Sequence, residues 1–438
     1  MRYSLLSMAA LAAADGTLLL SAFHHQGQLQ FPMKVGSSDE EIKFVGVSEQ
    51  SAIFINDIKG ACAPDKAKDN SDLCSNAWNA SDSKSLKLSD DKFTNNWYNG
   101  SWATDEIRVG VADLSGVPFG LSQPSAVQMK TNAGNIDIGA LGSSFGYGIQ
   151  SNDSALSDHS FIDYLTKSSV IQKPVFSVYS ADPVYSNASK INFLYGGVDT
   201  AKYGKLADLD IQLPKEASAL IGSVALKALY IEDGDKTDKV TDDKNYSIDL
   251  RYSYSAVTDF KMPKGVWDKV KDHFKYSDVS GALPQAEGDC ISSDASFVFE
   301  FSDDVKVKIP FKDLQAKSTN DDSKCSVRMY GGSSDTDFFF GPAMLHHIYA
   351  VYDTKERKVS LGQMVFGDDS SVESVSGDLP QGKAATDSSS KSSEASGSEA
   401  SSSSTPSKDN SQQKQSGTST VRVSVSVLAM AMMASWFI

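Results

Sequence analysis

The sequence predicts an all-β protein, bilobal or sandwich-like, on three observations. Short alternating runs of apolar and β-branched residues recur along the chain, clusters of Gly, Pro, Asp and Ser separate them, and one apolar-to-glycine pattern occurs twice. The runs are Ser51 to Ile55, Glu106 to Val111, Val175 to Tyr179, Phe297 to Phe301, Val305 to Ile309 and Ile348 to Val351. Alternation with a period of two puts every second side chain on one face, as a sheet with one buried face requires. The repeated pattern is Ile136-Asp137-Ile138-Gly139-Ala140-Leu141-Gly142, answered by Thr336-Asp337-Phe338-Phe339-Phe340-Gly341-Pro342. In both, apolar strand residues run into a glycine that permits close backbone approach. Two segments read as helices. Phe161 to Ser168 follows the capping oxygens of Asp158-His159-Ser160, and Pro263-Lys264-Gly265 opens Val266 to Phe274, with Val266, Val270 and Phe274 on one face.

A chain of 438 residues with 40% hydrophobic residues has room for one large core or two lobes. The net charge of −15 excludes a nucleic-acid partner, because there is no basic surface to neutralise phosphates. Met1-Arg2-Tyr3 and the apolar run Leu5 to Ala14 read as a secretory signal within residues 1–22, cut after Ala14 or near Ala22. Residues 368–420, and Ser371 to Thr420 above all, hold too few apolar side chains to offset the entropy of ordering, so a disordered stalk is expected there. An apolar tail, 421–438, follows a polar spacer and reads as a GPI-attachment signal. Spacer length favours Asn410 as the attachment residue over the cluster Ser416-Gly417-Thr418. A retained tail anchor is the alternative, weakened by the absence of Lys or Arg after the run.

Cys62, Cys74, Cys290 and Cys325 make an even set in a secreted chain. Proximity favours Cys62–Cys74 and Cys290–Cys325, and no CxxC spacing points to metal. Sequons stand at Asn79, Asn99, Asn152, Asn187 and Asn245. His346-His347 read as structural histidines and the Asp-rich runs as solvated loops. No phosphate loop, nucleophile elbow or zinc motif is present, so no cofactor is expected.

Gly139-Ala140-Leu141-Gly142, Phe161 to Leu165 and Lys173-Pro174-Val175-Phe176-Ser177-Val178-Tyr179 resemble the middle of yapsin-like and candidapepsin-like fungal aspartic proteases. Tyr195-Gly196-Gly197-Val198-Asp199-Thr200-Ala201-Lys202-Tyr203 is similar to the most diagnostic piece of that group, and Phe340 to Asp353 with Lys358 to Gln363 resemble its closing strands. The resemblance covers about Phe31 to Phe366 and implies a pepsin-like fold of two antiparallel barrel-like lobes, 23–190 and 191–367, around a cleft. It also places the two disulfides where candidapepsins have theirs.

The family's chemistry needs two carboxylates a hydrogen bond apart, one from each lobe, sharing a proton so that one is base and the other acid. Each begins an Asp-Thr/Ser-Gly turn. Val35-Gly36-Ser37-Ser38 and the strand Ser51 to Ile55 fix the first turn on Val47-Ser48-Glu49; counting back from Pro263 puts the second on Tyr254-Ser255-Ala256. Neither Val47 nor Tyr254 is a carboxylate, so no catalytic residue is expected. Glu49, with Asp249 or Asp259, is the pair that would have to substitute; Asp57 lies too far along its strand. The hairpin tip Trp97-Tyr98-Asn99-Gly100-Ser101 keeps the Gly-Ser of the family's flap but changes its first two places, and its aromatics, with Trp102, either line a groove or fill a hairpin. Gly36 lies too near the signal for the long inhibitory pro-segment of active relatives. The reading is a GPI-anchored, monomeric pseudoprotease at the plasma membrane or cell wall, whose cleft holds a peptide, protein or wall polysaccharide. An acid endopeptidase with an unconventional dyad and a glycosylated adhesive wall protein are the alternatives.

Overall fold

A computed structural model describes residues 16–25, 28–47, 50–58, 77–94, 98–122, 143–147, 159–182, 189–212, 223–250, 260–279, 285–291, 294–318 and 323–383. Eight strands open the fold: β1 (Leu18–His25), β2 (Gln28–Val35), β3 (Glu41–Val47), β4 (Ile53–Asn56), β5 (Lys87–Thr94), β6 (Asn99–Val109), β7 (Ala112–Ser122) and β8 (Ser144–Gly146). Helix α1 (Phe161–Lys167) leads to β9 (Val175–Ser180), β10 (Lys190–Tyr195), β11 (Gly197–Asp199) and β12 (Ala207–Asp210). The second lobe holds β13 (Ser223–Leu226), β14 (Ala228–Asp233), β15 (Lys236–Lys239), β16 (Tyr246–Asp249), β17 (Phe260–Pro263), then α2 (Lys264–Phe274). It continues with β18 (Ser277–Val279), β19 (Gln285–Asp289), β20 (Ser296–Glu300), β21 (Lys306–Pro310), β22 (Gln315–Lys317), β23 (Lys324–Val327), β24 (Met329–Gly332) and β25 (Asp337–Phe340). After α3 (Pro342–Leu345) come β26 (Ile348–Asp353), β27 (Lys358–Gln363) and β28 (Val372–Ser374).

All six expected strand runs lie on strands. Glu106 to Val111 is only the end of the longer β6, which stops at Val109 because the chain turns through Gly110 at positive φ. Both expected helices form. Helix α2 ends on Lys275 in the left-handed region (φ 59°), with the Tyr276 amide returning to the Lys271 carbonyl at 3.1 Å. A side chain pays for that conformation where glycine does not, so Lys275→Gly is expected to stabilise the protein by about 1 kcal/mol, read as a rise in denaturation midpoint.

A thirteen-stranded sheet runs β12-β27-β26-β9-β10-β1-β2-β3-β8-β4-β7-β6-β5. Its middle strands β9 and β10 are buried almost throughout, because elements cover both faces. The five-stranded sheet β13-β16-β25-β17-β24 belongs to the second lobe, with two four-stranded sheets around it, β15-β14-β20-β21 and β18-β19-β23-β22. There Phe260 sits within 5.5–5.8 Å of the rings of Phe297, Phe299, Phe338 and Phe340. Cys290 and Cys325 form a disulfide between the end of β19 and β23.

Three boundaries differ from the sequence expectation. Strand β1 occupies part of 1–22: Leu18, Leu20 and Ala22 are buried, and Leu18 pairs with Tyr195. A cut near Ala22 would remove half of this strand, whereas one after Ala14 leaves it whole. The division at 190/191 falls at the head of β10, which pairs with β1 and β9, so the first lobe extends past it. The folded body also continues beyond 367. Residues through Lys383 form a strap in which β28 pairs with β11 and Val375 is buried.

Candidate functional site

The two lobes repeat one strand pattern. In the first, β3 pairs parallel with β8, β8 antiparallel with β4, and β4 parallel with β7. In the second, β16, β25, β17 and β24 repeat that order and those directions. Matched on the Phe-Gly that each carries, the counterpart of Phe339-Phe340-Gly341 is Ser144-Phe145-Gly146, on β8, and not Ile136 to Gly142, which lies outside the described residues. Gly146 is required here: a Cβ would stand 2.5 Å from the Ala52 carbonyl oxygen.

The register fixes where each candidate carboxylate position falls. Ser144 pairs with both Val45 and Phe54, while Phe339 pairs with both Asp249 and Lys261. Asp249 is therefore level with Val45, two residues short of the strand-end place held by Val47. The connection from Asp249 to Lys261 is also three residues longer than that from Val45 to Phe54. Counted from β17, the counterpart of Val47 is Tyr254; counted from β16, it is Arg251. Neither is a carboxylate. Tyr254 and Arg251, with Ser48, Glu49 and Asp259, lie outside the described residues.

Val47 ends β3 with its side chain buried and pairs with Gly146. Asp57 is buried just past the far end of β4, and its Oδ1 accepts from the Ala80 amide at 3.5 Å. Phe54 is level with Val45, so Asp57 stands five residue levels from Val47, about 16 Å at strand rise. It cannot serve the strand-end position.

The hairpin β5–β6 carries the expected Gly100-Ser101. A Cβ at Gly100 would stand 2.0 Å from the Leu121 carbonyl oxygen, so only glycine lets β6 lie against β7 here. Tyr98 is buried and stacks parallel on Phe54 at 4.7 Å, Phe93 and Trp102 complete the cluster, and Trp102 stacks on His159 at 3.7 Å. Tyr98 and Trp102 thus fill the hairpin. Trp97 lies outside the described residues.

The diagnostic Gly196 to Tyr203 segment is where the strap is held. The Asp199 carboxylate, buried, accepts from the Ala201 and Ser371 amides at 3.2 and 2.7 Å and from Ser370 Oγ at 2.7 Å. Thr200 donates its amide to the Ser371 carbonyl, and the Tyr203 hydroxyl donates to the Pro380 carbonyl. The sequence marks this segment by likeness alone; its role needs the second strand, 170-odd residues on.

Buried histidines form a second polar feature. His24 on β1 and His346 after α3 are buried, and burial followed by the nearby His346 pushes the His24 imidazole down to about 4. His346 stacks on Phe366, and His347 Nε2 lies 3.3 Å from Asp313. Among the described residues no cluster of His, Cys, Asp and Glu has metal-binding geometry.

Of the modification positions, Asn99 and Asn245 are exposed, and Asn79 caps a short 3₁₀ turn with its Nδ2 donating to Asp82 at 2.9 Å. Asn152, Asn187, Asn410, Cys62 and Cys74 lie outside the described residues.

The eukaryotic aspartyl protease family model matches residues 59–364. Secreted aspartic protease 4 of Candida albicans is 23% identical over 349 residues, 78% of this chain and 77% of that protein. An acid protease of Saccharomycopsis fibuligera is 26% identical over 269 residues, 60% of this chain and 64% of the relative. Candidapepsin of Candida tropicalis is 27% identical over 248 residues, 55% of each chain. With the repeated strand pattern, this match places the chain in the eukaryotic aspartyl protease family, as an all-β, bilobal, pepsin-like protein resembling the secreted aspartic proteases of fungi.

Proposed function

We propose that this protein is a GPI-anchored pseudoprotease, displayed outside the cell, whose cleft holds a peptide, protein or wall polysaccharide without cutting it. The observation that supports this is the pair of strand-end positions. Val47 is a buried aliphatic residue, and either count in the second lobe gives Tyr254 or Arg251. A proton-sharing pair needs two carboxylates, and neither valine at the one position nor tyrosine or arginine at the other is a carboxylate. The names of the secreted relatives support an extracellular address, and the apolar tail behind a Ser-rich stretch supports a lipid anchor.

Those same names favour the second reading, an acid endopeptidase; Glu49 with Asp249 or Asp259 would then form an unconventional pair. The two differ in one assay. The purified protein, shown folded by a cooperative melt, is expected to cleave no member of a diverse peptide library between about pH 3 and 7, the range in which carboxylate pairs titrate. Cleavage that a statine-type peptide blocks and Glu49→Ala abolishes would establish the enzyme instead, because such a mimic binds tightly only to a competent dyad. Release of the protein from cells by a phosphatidylinositol-specific phospholipase tests the anchor; retention after treatment counts against it.

A further inference from the structure

A cavity of ≈ 260 Å³ lies on the second lobe between α2, the hairpin β18–β19 and β24. None of its lining residues is one of the strand-end positions described above. One wall is aromatic: Trp267, almost wholly buried, and half-buried Tyr330. The rest is polar, with Lys264, Asp268, Lys271 and Asp278 around the mouth and Gln285 beside them.

The charges decide what such a cavity takes. Lys264 pairs with Asp268 at 2.7 Å. Lys271 pairs with Asp278 and lies over the Trp267 ring at 5.6 Å, and the Trp267 Nε1 donates to Asp278 at 3.0 Å. Two lysines and two aspartates leave the lining neutral, with each charge already compensated. A charged ligand would have to break an ion pair and leave its partner group uncompensated. A neutral ligand carrying hydroxyls breaks nothing. The remaining lone pairs of the carboxylates, the carboxamide of Gln285 and the Tyr330 hydroxyl offer both acceptors and donors to it. The volume is just under the roughly 300–1,000 Å³ of drug-sized sites, so it admits one ring rather than a chain segment.

We infer that this cavity is a binding site for a single neutral hexose ring, built from residues other than the strand-end positions. It stands whether or not the cleft is catalytic.

The test is calorimetric titration of the full-length protein with neutral trisaccharides of β-1,3-linked glucose, mannose and N-acetylglucosamine, with trigalacturonate and the glucosamine trimer as charged counterparts. At least one neutral trimer is expected to saturate at about millimolar affinity, with both charged trimers about tenfold weaker. Tyr330→Phe and Gln285→Ala, with unchanged melting temperature, are each expected to weaken the neutral sugar about threefold or more. Asp268→Asn leaves Lys264 uncompensated and is expected to shift preference towards trigalacturonate. Failure of every neutral trimer to bind overturns the inference, as does a charged trimer binding more tightly than any neutral one. Binding that neither Tyr330→Phe nor Gln285→Ala changes places the sugar elsewhere and also overturns it.

Discussion

Replacing Asp199 by alanine is expected to cost about 4 kcal/mol, near the upper end for a single substitution, because it removes a buried, charged acceptor shared by three hydrogen bonds at a part-buried joint. The carboxylate is 1% exposed and takes two backbone amides and the Ser370 hydroxyl. Two of those donors belong to the strap, so the loss falls on the joint between the body and residues 368–383. With unfolding entropy scaled to a body of this size, the melting temperature should drop by about 5 °C. Hydrogen exchange should show the amides of β28 losing protection before those of β9 and β10. Asp199→Asn, which keeps one acceptor oxygen, should cost less. Unchanged melting with a still-protected strap would show that Asp199 does not hold it.

Acidification from pH 7 to pH 4 is expected to remove about 3 kcal/mol through His24 alone. Its folded imidazole titrates at about 4, below the ordinary 6.5, because burial and then His346 disfavour the charged form. The unfolded chain therefore takes up the proton first. The contribution is fully present above pH 6.5 and is lost as the pH falls towards 4. His24→Leu, which cannot titrate, should flatten the plot of melting temperature against pH across that window. Identical slopes for the two proteins would remove His24 as the source.

The strands were legible where the pattern is local. Val305 to Ile309 alternates buried and exposed side chains as β21, and the helix face of Val266, Val270 and Phe274 is buried in α2. Less legible were features whose partners are remote in sequence. The first-lobe counterpart of β25 is Ser144-Phe145-Gly146, too short and too plain in composition to stand out beside Ile136 to Gly142. Strand β1 read as part of a signal because an apolar run at a terminus has the same composition whether it is removed or buried. The strap read as stalk because Asp368 to Lys383 is rich in Ser, Asp and Gly; its order comes from Asp199, Thr200 and Tyr203, which a window of local sequence does not contain.

The sequence by itself determined the β class, helices α1 and α2, the family resemblance and the absence of carboxylates at the counted turn positions. Each of these rests on periodicity, spacing or residue identity, all readable along one line. The tertiary structure alone decided that Asp249 lies two levels short of the place that Val47 holds in the first lobe, that Tyr98 and Trp102 fill their hairpin, and that the body runs to Lys383. Those depend on sheet register, and register joins residues as far apart as Ser21 and Asn192, whose side chains meet at 3.0 Å across 171 positions.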